Sequence, residues 1–271
     1  MHTKMTLKGE ISKLGIDPED RLLIHSSMKA LGEVEGGADT VLDAFIEYLA
    51  AGLLMFPTHT WKQVGETNPV FDPKTDASCV GILTNLFMKR PGVFRSLHPT
   101  HSVAAIGRDA ESYTKGEELT RTACPRSGCW GRLVDIEAKI LFLGCSMRSN
   151  TLIHGVEEWM DIPDRLSPVP QPLKVRTEHG LVNCPQYRHQ SRFGDVSQTY
   201  GKLEKPLLNL GAATEGYIGD ARCILVQVTP MVDFVQFLLE QNPRLFQSYD
   251  SVPEADVRRW RERSAGRYNL T

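Results

Sequence analysis

Short apolar runs alternate with amphipathic stretches along most of the chain, a pattern that predicts buried strands set between helices. Residues 21–25 (RLLIH), 53–56 (LLMF), 102–107 (SVAAIG), 139–144 (KILFLG) and 223–228 (CILVQV) read as strands. Helices are expected over residues 7–14, closed by Gly15, and after the 36–40 loop, where Val41, Leu42, Phe45, Ile46 and Leu49 share one face. Further helices are expected near residues 79–89 and over 150–160 and 230–241. Residues 173–187 alternate around Glu178-His179-Gly180 as a hairpin does, and the polar, basic tail beyond Pro243 reads as surface. No repeat or clean linker divides the chain. The expected architecture is one α/β domain over residues 1–271, with a central, partly parallel sheet and an antiparallel excursion in its second half.

Composition narrows the class. With 271 residues, 41% of them hydrophobic and 24% charged, the chain can bury a sizeable core and is not a disordered one. Its 31 Lys+Arg against 33 Asp+Glu argue against a dedicated nucleic-acid binder. The six cysteines are scattered without a C-x-x-C pair and read as reduced thiols. The first residues lack a signal-peptide core. The most hydrophobic stretch, 41–56, is interrupted by Asp43 and Glu47 and is too short for a bilayer, so no membrane partner and a cytoplasmic location are expected.

Several familiar chemistries are missing. There is no phosphate loop of the G-x-x-x-x-G-K-[ST] type, no G-x-G-x-x-G after a strand and no H-E-x-x-H. The nearest nucleophile elbow, Gly144-Cys145-Ser146-Met147-Arg148, has an arginine in place of its second glycine, so Ser146 reads as a loop hydroxyl. The coenzyme loop of the common acetyltransferase superfamily is approached only by Gln198-Thr199-Tyr200-Gly201-Lys202-Leu203, where a leucine takes the last small position.

Three polar clusters stand where strands end, the usual location of ligand sites in open α/β sheets. Residues 25–37 (HSSMKALGEVEGG) carry hydroxyls, a lysine and glycines, and read either as an anion-binding loop or as an ordinary strand-to-helix connection. Residues 95–102 (RSLHPTHS) hold His98 and His101, which would need a cysteine at ligand spacing to make a zinc site; none is near in sequence, so no metal is expected. In residues 150–161 (NTLIHGVEEWMD), His154, Glu157 or Glu158, and Asp161 fall on one helix face. A carboxylate beside an imidazole fixes its tautomer and stabilises the imidazolium, and further acids there would attract a cationic substrate. The alternative is a solvated acidic face with an incidental histidine.

In order and spacing, these clusters together with GLLMFPTHTW, FDPKTDASCVGILTNLF, RPGVFRSLHPTHSVAAIG, PRSGCWGRL, KILFLGC, NTLIHGVEEWMDIP and GYIGDARCILVQV resemble the aminoglycoside 3-N-acetyltransferase, or antibiotic N-acetyltransferase, family. The resemblance implies a mixed sheet in an α/β/α-type sandwich, distinct from the common acetyltransferase fold. It implies transfer of an acetyl group from acetyl-CoA to a primary amine of a small cationic acceptor such as an aminoglycoside, at its 3-amino group. Carried over residue by residue, it places His25, Ser26, Ser27, Lys29, Gly32 and Val34 on the coenzyme-binding loop and Ser127 close to the coenzyme. It makes His154 the catalytic base and Glu157 the acid that holds its ring. The base would deprotonate the ammonium in a ternary complex, and backbone N–H groups at Ser26–Ser27 would steady the oxyanion. A ping-pong route through Cys145 is the lesser alternative. His59, Arg126 and Cys129 depart from the family pattern and bear on the acceptor. A biosynthetic acetyltransferase acting on another amine, a non-catalytic coenzyme A binder and a hydrolase built on His98 and His101 stay open, as does a homodimer.

Overall fold

The computed structural model describes residues 1–268 and Leu270. Helix α1 (Lys4–Lys13) leads into strand β1 (Arg21–Ser26), helix α2 (Gly37–Tyr48) and β2 (Leu53–Pro57). Then come β3 (Val70–Phe71), α3 (Ile82–Phe87), β4 (Phe94–Arg95), β5 (Val103–Gly107), α4 (Ala110–Thr114), α5 (Cys129–Asp135), β6 (Lys139–Leu143) and α6 (Thr151–Trp159). The second half adds β7 (Lys174–Thr177), β8 (Gly180–Asn183), α7 (Glu204–Asn209), β9 (Ala213–Ile218), β10 (Ala221–Gln227), α8 (Val228–Gln241) and α9 (Glu254–Ser264).

The main sheet has the order β4-β5-β2-β1-β6-β10-β9. Its centre is parallel, with β1 between β2 and β6, and both flanks are antiparallel. The central strands are buried on both faces, which is why they read as unbroken apolar runs rather than alternating ones. Alternate residues still divide the core. Leu22, Ile24, Leu54, Phe56, Leu141 and Leu143 pack with α1, α2 and α3 on one face. Leu23, Met55, Ile140, Phe142, Ile224 and Val226 pack with α5, α6 and α8 on the other. The result is a mixed sheet between two helical layers.

Three expectations are corrected. The antiparallel pairing is not confined to the second half, since β4 and β5 supply it on the early edge. The 173–187 hairpin does form as β7 and β8, but it joins β3 in a separate three-stranded sheet. The tail is not merely surface: α9 carries Glu254 and Asp256 in its first turn and Arg261 and Arg263 in its last, matching the helix dipole. Its Trp260 is fully buried, edge-on to Phe234 at 5.2 Å, with its indole N–H donated to Asp233 at 3.0 Å. Asn269 and Thr271 of the tail lie outside the described residues.

Two glycines set the loops at the strand ends. Gly32 has φ +74°, and a Cβ there would fall 1.9 Å from an Asp220 carboxylate oxygen. Gly144, at the end of β6, has φ +66°, and its Cβ would lie 2.3 Å from that of Ala30. Gly144 excludes a side chain sterically as well as by dihedral angle, whereas the exposed Asp220 side chain can move aside and Gly32 is favoured by its dihedral angle.

Trp260→Ala is expected to destabilise the protein by about 3–5 kcal/mol, the usual cost of emptying a buried large aromatic site. Urea unfolding checks this; a loss below about 1 kcal/mol would mean that α9 is not part of the cooperative fold.

Candidate active site

Helix α6 starts at the end of β6 after one 3-10 turn, so its first residues face the cleft above the strand ends. The cleft has a volume of about 430 Å³ and includes His25, His59, His101, His154 and His189 in its wall. His154 stands one helical turn before Glu157, whose side chain is fully buried. The two do not meet directly: Nδ1 of His154 lies 3.6 Å from Oε2 of Glu157. The Tyr200 hydroxyl joins them, 2.7 Å from His154 Nδ1 and 2.6 Å from Glu157 Oε2. With one hydroxyl proton to give, Tyr200 donates to Glu157 and accepts from His154 Nδ1–H. That network assigns the tautomer and leaves Nε2 of His154 as a lone-pair acceptor. This nitrogen has no partner among the described residues and is not sealed from the cleft.

The other oxygen of Glu157 accepts from Nε of buried Arg165 at 2.5 Å. Burial pushes the Glu157 carboxyl up, but the His154, Arg165 and Tyr200 contacts outweigh it and hold it below the usual carboxylate range. Burial, and then the neighbouring His189, push His154 below the ordinary histidine value, with Glu157 partly offsetting them. The site therefore holds a neutral imidazole at neutral pH.

The neighbouring acid on α6 serves a different imidazole. Glu158 Oε1 accepts from His189 Nε2 at 2.5 Å and from the Cys124 backbone N–H at 3.0 Å. The His189 ring lies 4.4 Å from that of His154, centroid to centroid. Cys124, Glu158 and His189 thus bring a thiol, a carboxylate and an imidazole within 4.8 Å of one another, a gathering that sequence spacing did not disclose. Hydrogen bonds inside the cluster account for it, and burial keeps the Cys124 thiol well above its usual pKa.

The remaining histidines divide by role. His25 sits on β1, stacked on Phe142 at 5.4 Å, and burial pushes it down to about 3. His59 contacts the Thr151 hydroxyl at 3.1 Å and stacks on Trp130. Burial and neighbouring histidines push His59 and His101 well below the ordinary value. His98 is a turn organiser: Nδ1 accepts the backbone N–H groups of Thr100 and His101, and Nε2 contacts the Thr122 carbonyl. With both nitrogens engaged, His98 is not available for a zinc site with His101.

Other expectations are corrected. Asp161 lies beyond α6 with φ +51° and is exposed, so it does not share the face of His154. The Ser27 backbone N–H is already donated to the Leu143 carbonyl at 2.9 Å and is not free for an oxyanion. Cys145 is no activated nucleophile, because burial pushes its thiol up to about 12. Of the residues carried over for the coenzyme, His25 and Ser26 line the cleft, as strand residues. Ser27, Lys29, Gly32, Val34 and Ser127 lie outside its lining; Lys29 and Ser127 are exposed. All six cysteines are unpaired. No helix among the described residues is long and apolar enough to cross a membrane.

A neutral imidazole with a buried carboxylate behind it and a free nitrogen in a cleft is equipment for general-base chemistry. Residues 23–240 match the model of the aminoglycoside 3-N-acetyltransferase family, and the chain belongs to that family; it is an acyltransferase. It is 29% identical over 272 residues to aminoglycoside N(3)-acetyltransferase III of Acinetobacter baumannii, covering 89% of this chain and 93% of that protein. Its fold matches AAC-IIIb in binary complex with CoASH at a TM-score of 0.78 and 22% identity, covering 88% and 96% of the two chains. It matches a histidine-to-alanine mutant of aminoglycoside acetyltransferase AAC(3)-IVa in complex with apramycin at a TM-score of 0.75 and 23% identity, covering 93% and 96%.

The depressed histidines make stability depend on pH. A histidine held below its unfolded value is neutral in the fold at pH values where the unfolded chain binds a proton. Its contribution is fully present above about pH 6.5 and is lost as pH falls toward the folded value. Stability is therefore expected to drop from pH 7 to pH 5, by at most about 1.4 kcal/mol per pH unit for each such group. His25→Phe, which keeps the stacking on Phe142, should flatten the curve. An unchanged slope of stability against pH in that variant would contradict the assignment.

Proposed function

We propose that the protein transfers the acetyl group of acetyl-CoA to a primary amine, the 3-amino group of a 2-deoxystreptamine aminoglycoside, by general-base catalysis in a ternary complex. The observation that carries this reading is the chain His154–Tyr200–Glu157–Arg165, which ends in a free imidazole nitrogen in the cleft. The relatives' names supply the acceptor class, and the neighbour in complex with CoASH supports the coenzyme.

The ammonium of the acceptor cannot attack a thioester until it loses a proton. His154 Nε2 takes it, and Glu157 stabilises the imidazolium through the Tyr200 hydroxyl. The freed nitrogen attacks the acetyl carbonyl, and coenzyme A leaves as the thiolate. The first turn of α6 has no side-chain cap and lines the cleft through Asn150 and Thr151, so its dipole favours the developing oxyanion. Exposed Lys29 is a cation for the coenzyme phosphates.

One observation favours a different small amine as acceptor. Among the described residues lining the cleft, Asp195 carries the only carboxylate, while Arg148 and Arg188 bring two guanidinium groups. A polycation would meet little opposite charge on that wall. An acceptor with a single amine suits it better, and both classes belong in one test.

The test is thiol release from acetyl-CoA against a panel of aminoglycosides and small amines. Turnover with at least one amine is expected. His154→Ala should lose about 10²–10⁴-fold in kcat, the usual worth of a general base, and Tyr200→Phe should lose less. No thiol release with any amine, or near-normal kcat in His154→Ala, would overturn the reading.

A further inference from the structure

Five histidines line the cleft, and two of them are backed by a carboxylate. His59 and His101 contact threonine hydroxyls, and Nε2 of His25 has no partner. The two carboxylates are consecutive residues of α6. Successive helical positions point about 100° apart, so Glu157 turns toward His154 and Tyr200 while Glu158 turns toward His189. The sequence therefore builds two acid–imidazole units from one helix turn.

We propose that His189, held by Glu158, is the second proton acceptor of the acetyl transfer, taking the proton that the amine nitrogen must shed after it has attacked. The inference rests on the reading of the protein as an amine acetyltransferase and adds a residue to it. Forming an amide from an ammonium requires the nitrogen to lose two protons. His154 takes the first. Attack then forms the C–N bond and moves the carbonyl π pair onto oxygen, leaving a tetrahedral adduct with a positively charged nitrogen that still carries the second proton. That proton passes to His189. The oxyanion pair re-forms the C=O bond, the C–S bond breaks, and the thiolate collects the proton held by His154. The products are the amide and coenzyme A as its thiol, with one proton on His189 for release to solvent.

The geometry fits this duty at each point. His189 Nε2–H donates to Glu158 at 2.5 Å, which leaves Nδ1 as the lone-pair nitrogen. Nδ1 has no partner among the described residues and is not sealed from the cleft. Among the described residues the second oxygen of Glu158 is buried and makes no hydrogen bond, so the carboxyl group's partners are His189 and the Cys124 backbone N–H alone. The ring centroids of His189 and His154 are 4.4 Å apart, so the two imidazoles stand side by side in the cleft wall. The segment that carries it is fixed on both sides. Tyr187 N–H is donated to the Arg121 carbonyl at 2.7 Å, and Gln190 N–H to that of Arg165 at 3.1 Å.

His189→Gln separates this duty from a structural one, because the amide still donates to Glu158 but accepts no proton. With acetyl-CoA and the most active amine of the panel, kcat is expected to fall on the order of 10²-fold. KM for acetyl-CoA and the melting temperature should stay near wild type. His189→Ala should recover part of its lost kcat on adding imidazole, as a missing proton acceptor allows and a missing spacer does not. Near-normal kcat in His189→Gln, or a deficit in His189→Ala that imidazole leaves unchanged, would overturn the inference while leaving the acetyltransferase reading intact. A wild-type protein that acetylates no amine would overturn both.

Discussion

The Glu157 carboxylate is fully buried, and the site is arranged around keeping it charged. Leaving a carboxylate unpaired in such a place would cost several kcal/mol. Two partners from two other parts of the chain prevent that: Arg165 from the connection after α6 and Tyr200 from the 3-10 segment before α7, whose hydroxyl also accepts from His154. Satisfying one buried charge therefore ties a helix and two irregular connections together. It also determines which nitrogen of His154 faces the cleft, so the requirement that holds the fold locally is the one that orients the base.

The wall around it is built from imidazoles kept neutral. His25, His59 and His101 are inserted among Phe142, Trp130 and one another, and burial lowers each of them. Neutral aromatic rings of this kind line a cleft without attracting counter-ions, which leaves Arg148, Arg188 and Asp195 to set its charge. The parallel centre of the sheet places the ends of β1, β2 and β6 side by side under this wall, and Ser26, Pro57 and the start of α6 meet there.

Local spacing makes part of this legible in the sequence. His154 and Glu157 can be placed on one face because i, i+3 positions of a helix share it whatever the rest of the chain does, and the unbroken apolar runs mark β1, β2 and β6. Tyr200, Arg165 and His189 carry no such signal. Arg165 and His189 lie on irregular chain and Tyr200 on a 3-10 helix that the sequence does not announce, and each reaches the site only when the 160–200 connection folds back over α6. The partition of Glu157 and Glu158 between two imidazoles is equally hidden, since the i+3 and i+4 positions both satisfy the helical pattern. Strand β9 escapes detection because its burial is that of an edge, with only Ala213 and Ile218 inside. The tail looks like surface because its buried Leu245, Phe246, Val252 and Trp260 are scattered through polar and charged sequence and barely alter its average.

The central claim is that the buried Glu157–Tyr200 pair holds His154 as the Nδ1–H tautomer with its Nε2 lone pair facing the cleft, while burial keeps the ring neutral. Nitrogen-15 NMR of histidine-labelled protein, with the His154 signals assigned by their loss in His154→Ala, reads this directly. The account predicts the Nδ1–H tautomer at neutral pH and a titration midpoint below the ordinary histidine value of about 6.5. An Nε2–H tautomer, or an imidazolium that persists at neutral pH, would contradict it.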